Sequence, residues 1–438
     1  MCKYYHILTF GCQMNVHESE KIAGMLESIG YTSISDISSA DLIVFNTCCI
    51  RDTAETKIMG RIGEVKQLKK KNNRLIVAVV GCMTQQKGTA ESLRDKFPFV
   101  NIILGTDNLK ELPRLVKMVE ENAKKHISEI NTDPSAPICE DIPAYRTSGT
   151  NAWVNIMYGC DNFCSYCIVP YVRGRERSRR PEVIIDEVKR MLDEGYKEIT
   201  LLGQNVDSYR YENYDFAYIL EQCAKIEGKF RLRFMTSHPK DFNTRIVDIV
   251  RSCDNICNNI HLPVQSGSNR ILSLMNRKYT REHYLELINE IKTLPNVGIT
   301  SDIMVGFPTE TDEDFEDTLD LVKTVRYSAA FTFVYSPRKG TVAAEMEQVP
   351  AEVKKERIQQ LVKLQNAITG EISREYLGKT YEILVEDINP KVEGSLCGRT
   401  DSGRLVTFAG DKSLLGGFVN VKVTKTRTAS LFGEINEQ

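Results

Sequence analysis

Cys160, Cys164 and Cys167 stand in the run G-C-D-N-F-C-S-Y-C. The spacing C-x-x-x-C-x-x-C gathers three thiolates on one loop. A 4Fe–4S cluster normally takes four cysteines, so three would leave one iron open to an outside ligand. A structural zinc knuckle is the competing use, but it closes tetrahedrally and needs a fourth Cys or His nearby. The next candidates, Cys223 and His238, are far along the chain. The spacing, with Tyr166 just before the third cysteine, favours a cluster with an open iron.

A second set emerges only from the order of predicted elements. Tyr4–Phe10, Leu42–Asn46, Leu75–Val80 and Val100–Leu104 read as buried strands alternating with amphipathic stretches, the pattern of a parallel α/β sheet. Cys12, Cys48 and Cys82 each fall just past the carboxyl end of one of these strands, in F-G-C-Q, F-N-T-C-C and V-G-C-M. Loops on that edge of an open sheet converge on one crevice, so the three are expected to form a second ligand set; burial as ordinary core cysteines is the alternative. Cys49 follows Cys48 directly and is expected to point away from it.

The rest of the chain supplies the supports. Residues 1–130 form the predicted α/β domain, and 131–150, with Asn131, Pro134, Pro137 and Pro143, read as a linker. A βα series occupies 151–377, with strands expected at Trp153–Met157, Glu198–Leu202, Arg231–Met235, Asn258–Leu262, Ile299–Met304 and Ala330–Tyr335. Six βα units imply a (β/α)6 partial barrel with its site at the carboxyl ends of the strands, and the cysteine loop follows the first strand. A long helix is predicted from Pro350 to Tyr376. Residues 378–438 read as a small β-barrel from Tyr381–Asp387, Leu405–Phe408 and Phe418–Thr424, either of the nucleic-acid-binding sort or a structural cap.

Bulk composition narrows the class. The chain has 438 residues, 42% hydrophobic and 26% charged, the balance of a soluble globular protein with two or three domains. The longest clean apolar run, Leu75–Val80, is too short to span a bilayer, and Met1–Asn15 lacks an export pattern. Thirteen cysteines, an odd number, point to a reducing, cytoplasmic setting and metal ligation. The net charge of −2 exerts no general pull on nucleic acid. Arg173, Arg175, Arg177, Arg179 and Arg180 cluster after the cysteine loop and could grip phosphates; a second run comprises Lys66, Lys69, Lys70, Lys71 and Arg74. Cys253 and Cys257 suit core packing; Cys2, Cys139, Cys223 and Cys397 join no constellation. His238 and His261 end predicted strands and could line a site. There is no Ser–His–Asp arrangement, P-loop or G-x-G-x-x-G.

The C-x-x-x-C-x-x-C loop with its aromatic is similar to the signature of radical S-adenosylmethionine (SAM) enzymes. With the three N-terminal cysteines and the terminal β-barrel, which looks like a TRAM domain, the whole chain resembles the methylthiotransferases. Three stretches are similar to the branch that acts on N6-isopentenyladenosine in tRNA: N-T-C-C-I-R-D-T-A-E-T-K (Asp52 standing where Glu is more usual), G-C-M-T-Q-Q, and C-S-Y-C-I-V-P-Y-V-R-G-R-E-R-S-R. Sister branches act on threonylcarbamoyl-adenosine tRNA or on a ribosomal-protein aspartate, and those that modify threonylcarbamoyl-adenosine usually lack the Ile50–Arg51 pair.

The resemblance implies conversion of isopentenyladenosine at position 37, beside the anticodon, to its 2-methylthio derivative. Cys160, Cys164 and Cys167 would hold the SAM-cleaving 4Fe–4S cluster. Cys12, Cys48 and Cys82 would hold an auxiliary 4Fe–4S cluster carrying the sulfur. One SAM would donate the methyl group and a second become the 5′-deoxyadenosyl radical. Tyr166, Gln204, Ser237, Gln265, Ser266 and Gly306, at strand ends, are candidate SAM contacts. The implied partners are the tRNA anticodon stem-loop, a reductant such as flavodoxin or ferredoxin, and a sulfur or cluster-repair protein; a monomer without membrane contact is expected. Removal of residues 378–438 is expected to weaken tRNA binding while sparing the clusters.

Overall fold

Alternating apolar residues in two central strands organise the N-terminal sheet of the computed structural model, which describes residues 2–49, 52–122, 125–131, 133, 138, 140, 142, 145 and 149–436. Strands β1 (Lys3–Thr9), β2 (Tyr31–Ser33), β3 (Leu42–Thr47), β4 (Ile76–Gly81), β5 (Ile102–Leu104) and β6 (Ile127–Glu129) form one sheet in the order β2-β1-β3-β4-β5-β6. Every pairing is parallel. β3 and β4 are buried at every position, as strands covered on both faces must be.

Successive side chains point to opposite faces. Ile43, Phe45, Val77 and Val79 pack with Ile58, Ile62 and Val65 of α2 (Asp52–Lys71) and Leu93 of α3 (Thr89–Lys96). Leu42, Val44, Ile76, Ala78 and Val80 pack with Ile22 and Leu26 of α1 (Gln13–Glu27) and Leu112, Leu115, Val116 and Val119 of α4 (Leu112–Glu121). Each fully buried Ile, Leu or Val contributes about 1.5–3 kcal/mol.

The chain divides into two compact units, and the cysteine loop is shared between them. Residues 157–163 and 167–179 belong with 1–147, while 164–166 belong with the rest. In the first unit, helix α5 (Val169–Arg173) sends Ile168 and Val172 into the core that also contains Cys49, Cys82 and Met83.

The second unit carries six barrel strands: Asn151–Asn155, Glu198–Leu202, Arg231–Phe234, Asn259–His261, Gly298–Val305 and Ala329–Val334. They form two three-stranded parallel sheets, joined by a parallel bridge between Leu232 and Ile256. The six predicted strands match to within about two residues, the usual uncertainty of element ends. The predicted long helix is Ala351–Arg374.

The last segment is a closed five-stranded barrel, with Ser395–Arg399 and Leu431–Ile435 added to the three expected strands. Its loop at 399–404 seats on the amino-terminal ends of the barrel strands. Arg231, the first residue of the third strand, donates to the carbonyls of Arg399 (2.5 Å) and Glu382 (2.9 Å). Arg233 donates to those of Asp401 and Thr400 while pairing with Glu198 at 2.8 Å. Asn259 donates to the Ser402 carbonyl, and Arg404 to that of Ser328. Removing residues 378–438 would therefore strip partners from the buried Arg231 and Arg233 and the half-buried Asn259. Such a truncation would also carry a stability cost, since unpaired buried groups cost about 1–3 kcal/mol each.

Among the described residues no helix is long and apolar enough to cross a membrane. The predicted Pro134, Pro137 and Pro143 of the linker, Cys139 and the Ile50–Arg51 pair lie outside the described residues.

Candidate functional site

In the first unit, Cys12, Cys48 and Cys82 come together on the carboxyl edge of the sheet. Cys48 follows β3 and Cys82 follows β4, whose last residues, Thr47 and Gly81, are register partners. The Cys82 amide donates to the Thr47 carbonyl at 3.0 Å. Cys12 is delivered by the turn between β1 and α1, where Gly11 has φ +112°. A Cβ at Gly11 would lie 2.5 Å from Cys48 Cβ, so only glycine lets the Cys12 turn approach Cys48 this closely. Gly81, at φ +100°, gives the same freedom before Cys82.

Asn15 ties this edge together. Its Nδ2 donates to the carbonyls of Phe10 (2.7 Å) and Thr47 (2.9 Å), and its Oδ1 faces Cys12 Sγ at 3.8 Å. Arg173 reaches in from α5: Nε donates to Cys82 Sγ at 3.2 Å, Nη1 to Glu18 at 2.6 Å, and Nη2 to Glu18 at 3.1 Å and Asn15 Oδ1 at 3.0 Å. Arg173 is 5% exposed. Burial works against its charge, and Cys82 and then Glu18 more than offset that.

Cys49 is buried in the same core as Cys82. Its buried thiol donates to Cys82, which pushes the Cys49 pKa up and the Cys82 pKa down, with Arg173 adding to the latter. Burial raises the Cys12 pKa, opposed by Arg173.

The phosphate-gripping role expected of the arginine cluster is corrected for two of its members, which are buried. Arg173 and Arg179 are buried, and Arg177 pairs with Asp107 at 3.0 Å. Arg175 is exposed, pairs with Asp161 at 3.1 Å and lies over the Phe163 ring.

In the second unit, the stretch holding Cys164 is pinned to the barrel. The Ser165 amide donates to the Met275 carbonyl, its hydroxyl donates to that of Leu274, and its carbonyl accepts from Ala343. Arg277 Nη1 donates to Cys164 Sγ at 3.6 Å while Nη2 and Nε are taken by the Pro263 carbonyl and Tyr279. Tyr166 joins an apolar cluster with Phe307, Met304 and Tyr335, its ring 6.5 Å from that of Phe307.

The other candidate SAM contacts all lie just beyond carboxyl ends of barrel strands. Gln204 follows the second strand. Ser237 follows the third and donates to Asp207 at 3.1 Å. Gln265 bridges to Ile303 with φ +72°. The Ser266 hydroxyl is taken up locally by Thr318 and the Ser268 amide. Gly306, at φ +69°, donates its amide to Glu310 and backs onto Lys354. His238 is buried, and its pKa is lowered by burial and Arg277. His261 faces Phe331, a half-exposed ring 5.9 Å away.

Asp207 carries no signal in the sequence. Burial pushes its pKa up to about 8, against hydrogen bonds from His238 and Ser237. A carboxyl whose folded pKa exceeds its unfolded value near 4 retains a proton that the unfolded chain has shed, so stability falls as pH rises through that window. D207N is expected to flatten this decline, by at most about 1.4 kcal/mol per pH unit. Urea midpoints at several pH values between 5 and 8, as rough bounds of the window, check it; parallel curves for the two proteins would defeat it.

Among the described residues no group of three or more His, Cys, Asp or Glu side chains could hold a single metal ion. A cluster makes a different demand, one thiolate per iron, and three cysteines on three neighbouring turns with a buried cation facing one of them suit that demand.

Comparison with known proteins follows the same division. Residues 154–322 match the Radical SAM superfamily, 4–105 the uncharacterized protein family UPF0004, and 374–435 the TRAM domain. The chain is 52% identical over 437 residues to a Desulforamulus reducens protein named tRNA-2-methylthio-N(6)-dimethylallyladenosine synthase, covering 99% of this chain and 95% of that one. Proteins of the same name from Thermoanaerobacter pseudethanolicus (50%, covering 99% and 93%) and Clostridium botulinum (52%, covering 98% and 96%) are similarly close. Among solved structures, the radical SAM methyltransferase TsrM from Kitasatospora setae shares the fold with a TM-score of 0.58 at 13% identity, over 78% of this chain and 77% of that one. The cobalamin-dependent SAM radical enzyme OxsB does so with 0.53 at 14%, over 83% and 56%.

Proposed function

The chain belongs to the tRNA-2-methylthio-N(6)-dimethylallyladenosine synthase family, and from that premise we propose that it replaces the C2 hydrogen of N6-isopentenyladenosine at position 37 of tRNA with a methylthio group. The observation that carries the reading is the pairing of two three-cysteine sets in one chain. One lies on the carboxyl edge of the N-terminal sheet and the other in the loop after the first barrel strand.

The target C–H bond is not acidic, so no side-chain base removes that proton at useful cost, and hydrogen-atom abstraction is needed. When bound, the two 4Fe–4S clusters supply the electron that cleaves SAM and the sulfur atom that is methylated and inserted. Cys160, Cys164 and Cys167 would hold the first. Cys12, Cys48 and Cys82 would hold the second. Arg277 and Arg173 each direct an N–H at one thiolate of a set. Tyr166, Gln204, Ser237 and Gln265, at the strand ends, orient SAM. One SAM gives up its methyl group; a second yields methionine and 5′-deoxyadenosine once the adenosine C2 hydrogen has been transferred.

The C-terminal barrel supplies RNA contacts. Lys422, Lys425 and Arg427 are exposed on one strand and the turn after it. Sequence-specific RNA readers take bases from unstacked loops, which suits the anticodon loop. Replacing these three residues by Ala is expected to weaken stem-loop binding and to lower the slope of log affinity against log salt by roughly 0.7–0.9 for each phosphate no longer neutralised. Filter binding across a salt series measures it; an unchanged slope would remove this strand from the interface.

The substrate is tested by offering isopentenyladenosine RNA, threonylcarbamoyl-adenosine RNA and the ribosomal protein in parallel. Methylthiolation of the first alone is expected. Turnover only with one of the others would move the chain to a sister activity.

A further inference from the structure

Every nitrogen of Arg173 is engaged: Nε on Cys82, Nη1 on Glu18, and Nη2 on Glu18 and Asn15. A guanidinium presents its donors in a rigid fork, so this arrangement fixes its orientation as well as its charge. The side chain ends the five-residue helix that begins two residues after Cys167 and whose Val172 shares a core with Cys82. A buried ion pair with Glu18 would by itself only close the core. The bond to a proposed ligand sulfur is what goes beyond that.

We propose that Arg173 is a positioning residue that sets the reduction potential of the auxiliary cluster through its hydrogen bond to Cys82, an inference that rests on the assignment of Cys12, Cys48 and Cys82 to that cluster. Reduction adds negative charge to a thiolate-bound cluster. A cationic N–H donor on one ligand sulfur favours that added charge and raises the potential. Glu18 acts in the opposite sense, since its carboxylate offsets part of the guanidinium charge from the far side. The two residues therefore have opposite signatures: R173Q lowers the potential and E18Q raises it.

The test uses the full-length chain carrying C160A/C164A/C167A, so that one cluster remains, with iron content and an EPR-monitored redox titration as readouts. At a fixed potential R173Q is expected to lower the reduced-to-oxidised ratio about tenfold, equivalent to about 59 mV for one electron, and E18Q to raise it. R173K, which keeps a cation without the fork, should fall between R173Q and the parent. It serves alone if R173Q fails to retain iron. A parent-like potential in iron-replete R173Q or R173K, or a downward shift in E18Q, overturns the inference. Adding C12A/C48A/C82A to the same background should remove the remaining iron. Iron that persists there defeats the ligand assignment instead of the role of Arg173.

Discussion

Anaerobically reconstituted protein with Cys160, Cys164 and Cys167 replaced by Ala is expected to hold about four irons in place of about eight, and to release no 5′-deoxyadenosine from SAM. The loss should be chemical, because the loop is held by contacts that do not involve its sulfurs. Ser165 is bonded to Met275, Leu274 and Ala343 through backbone and hydroxyl groups. Tyr166 and Ile168 are packed in separate apolar clusters. Secondary structure should therefore survive, which circular dichroism can verify. Iron analysis showing two clusters in the triple variant would prove the ligand assignment wrong.

Replacing Cys12, Cys48 and Cys82 by Ala should separate the two halves of the reaction. SAM cleavage should continue, since the barrel loop is untouched, while methylthiolated nucleoside disappears from the digest of product RNA. Detectable product would dispose of the proposed sulfur-holding role. The neighbouring pair Cys48 and Cys49 sharpens the experiment. Cys48 packs against the Cys12 turn through Gly11, whereas the Cys49 thiol is directed at Cys82. C48S is expected to lose the auxiliary cluster and C49S to retain it. Retention in C48S with loss in C49S would exchange the two assignments. A serine hydroxyl in place of a buried thiol carries its own cost, so iron content is compared between variants whose circular dichroism matches the parent.

Much of the architecture is legible in local pattern. β3 opens with the apolar run Leu42–Phe45 and β4 is apolar from Ile76 to Val80 because both faces of a central parallel strand are covered, and pattern alone places their ends to within a residue. β2 and β6 have three residues each, too few for a periodic signal. Ser395–Arg399 escapes for a different reason. It is S-L-C-G-R, and its glycine, which reads as a breaker, is needed where the strand crosses the Leu384 carbonyl at close range. The two groups of cysteines are legible because one has a fixed local spacing, and because loops at one edge of a parallel sheet have no choice but to converge.

The surroundings of the cysteines are not legible. Arg173 stands in a run of arginines that on charge alone looks like a phosphate grip, yet it is buried among Glu18, Asn15 and Cys82. Asn15 and Glu18 lie three and six residues after Cys12, on a helix whose spacing offers no reason to single them out. Asp207 and Ser237 follow different barrel strands and become partners only when those strands align. The loop that contacts the starts of the third and fourth barrel strands comes from the last sixty-odd residues. By itself the sequence determined most of the elements, their order and the two groups of three cysteines, since these follow from periodicity and short-range spacing. Only the tertiary structure decided which charges are buried against those sulfurs and which strand starts the 399–404 loop contacts. Those contacts join residues scores of positions apart, and desolvation, which turns an exposed arginine into a buried counter-charge, exists only once the chain has packed.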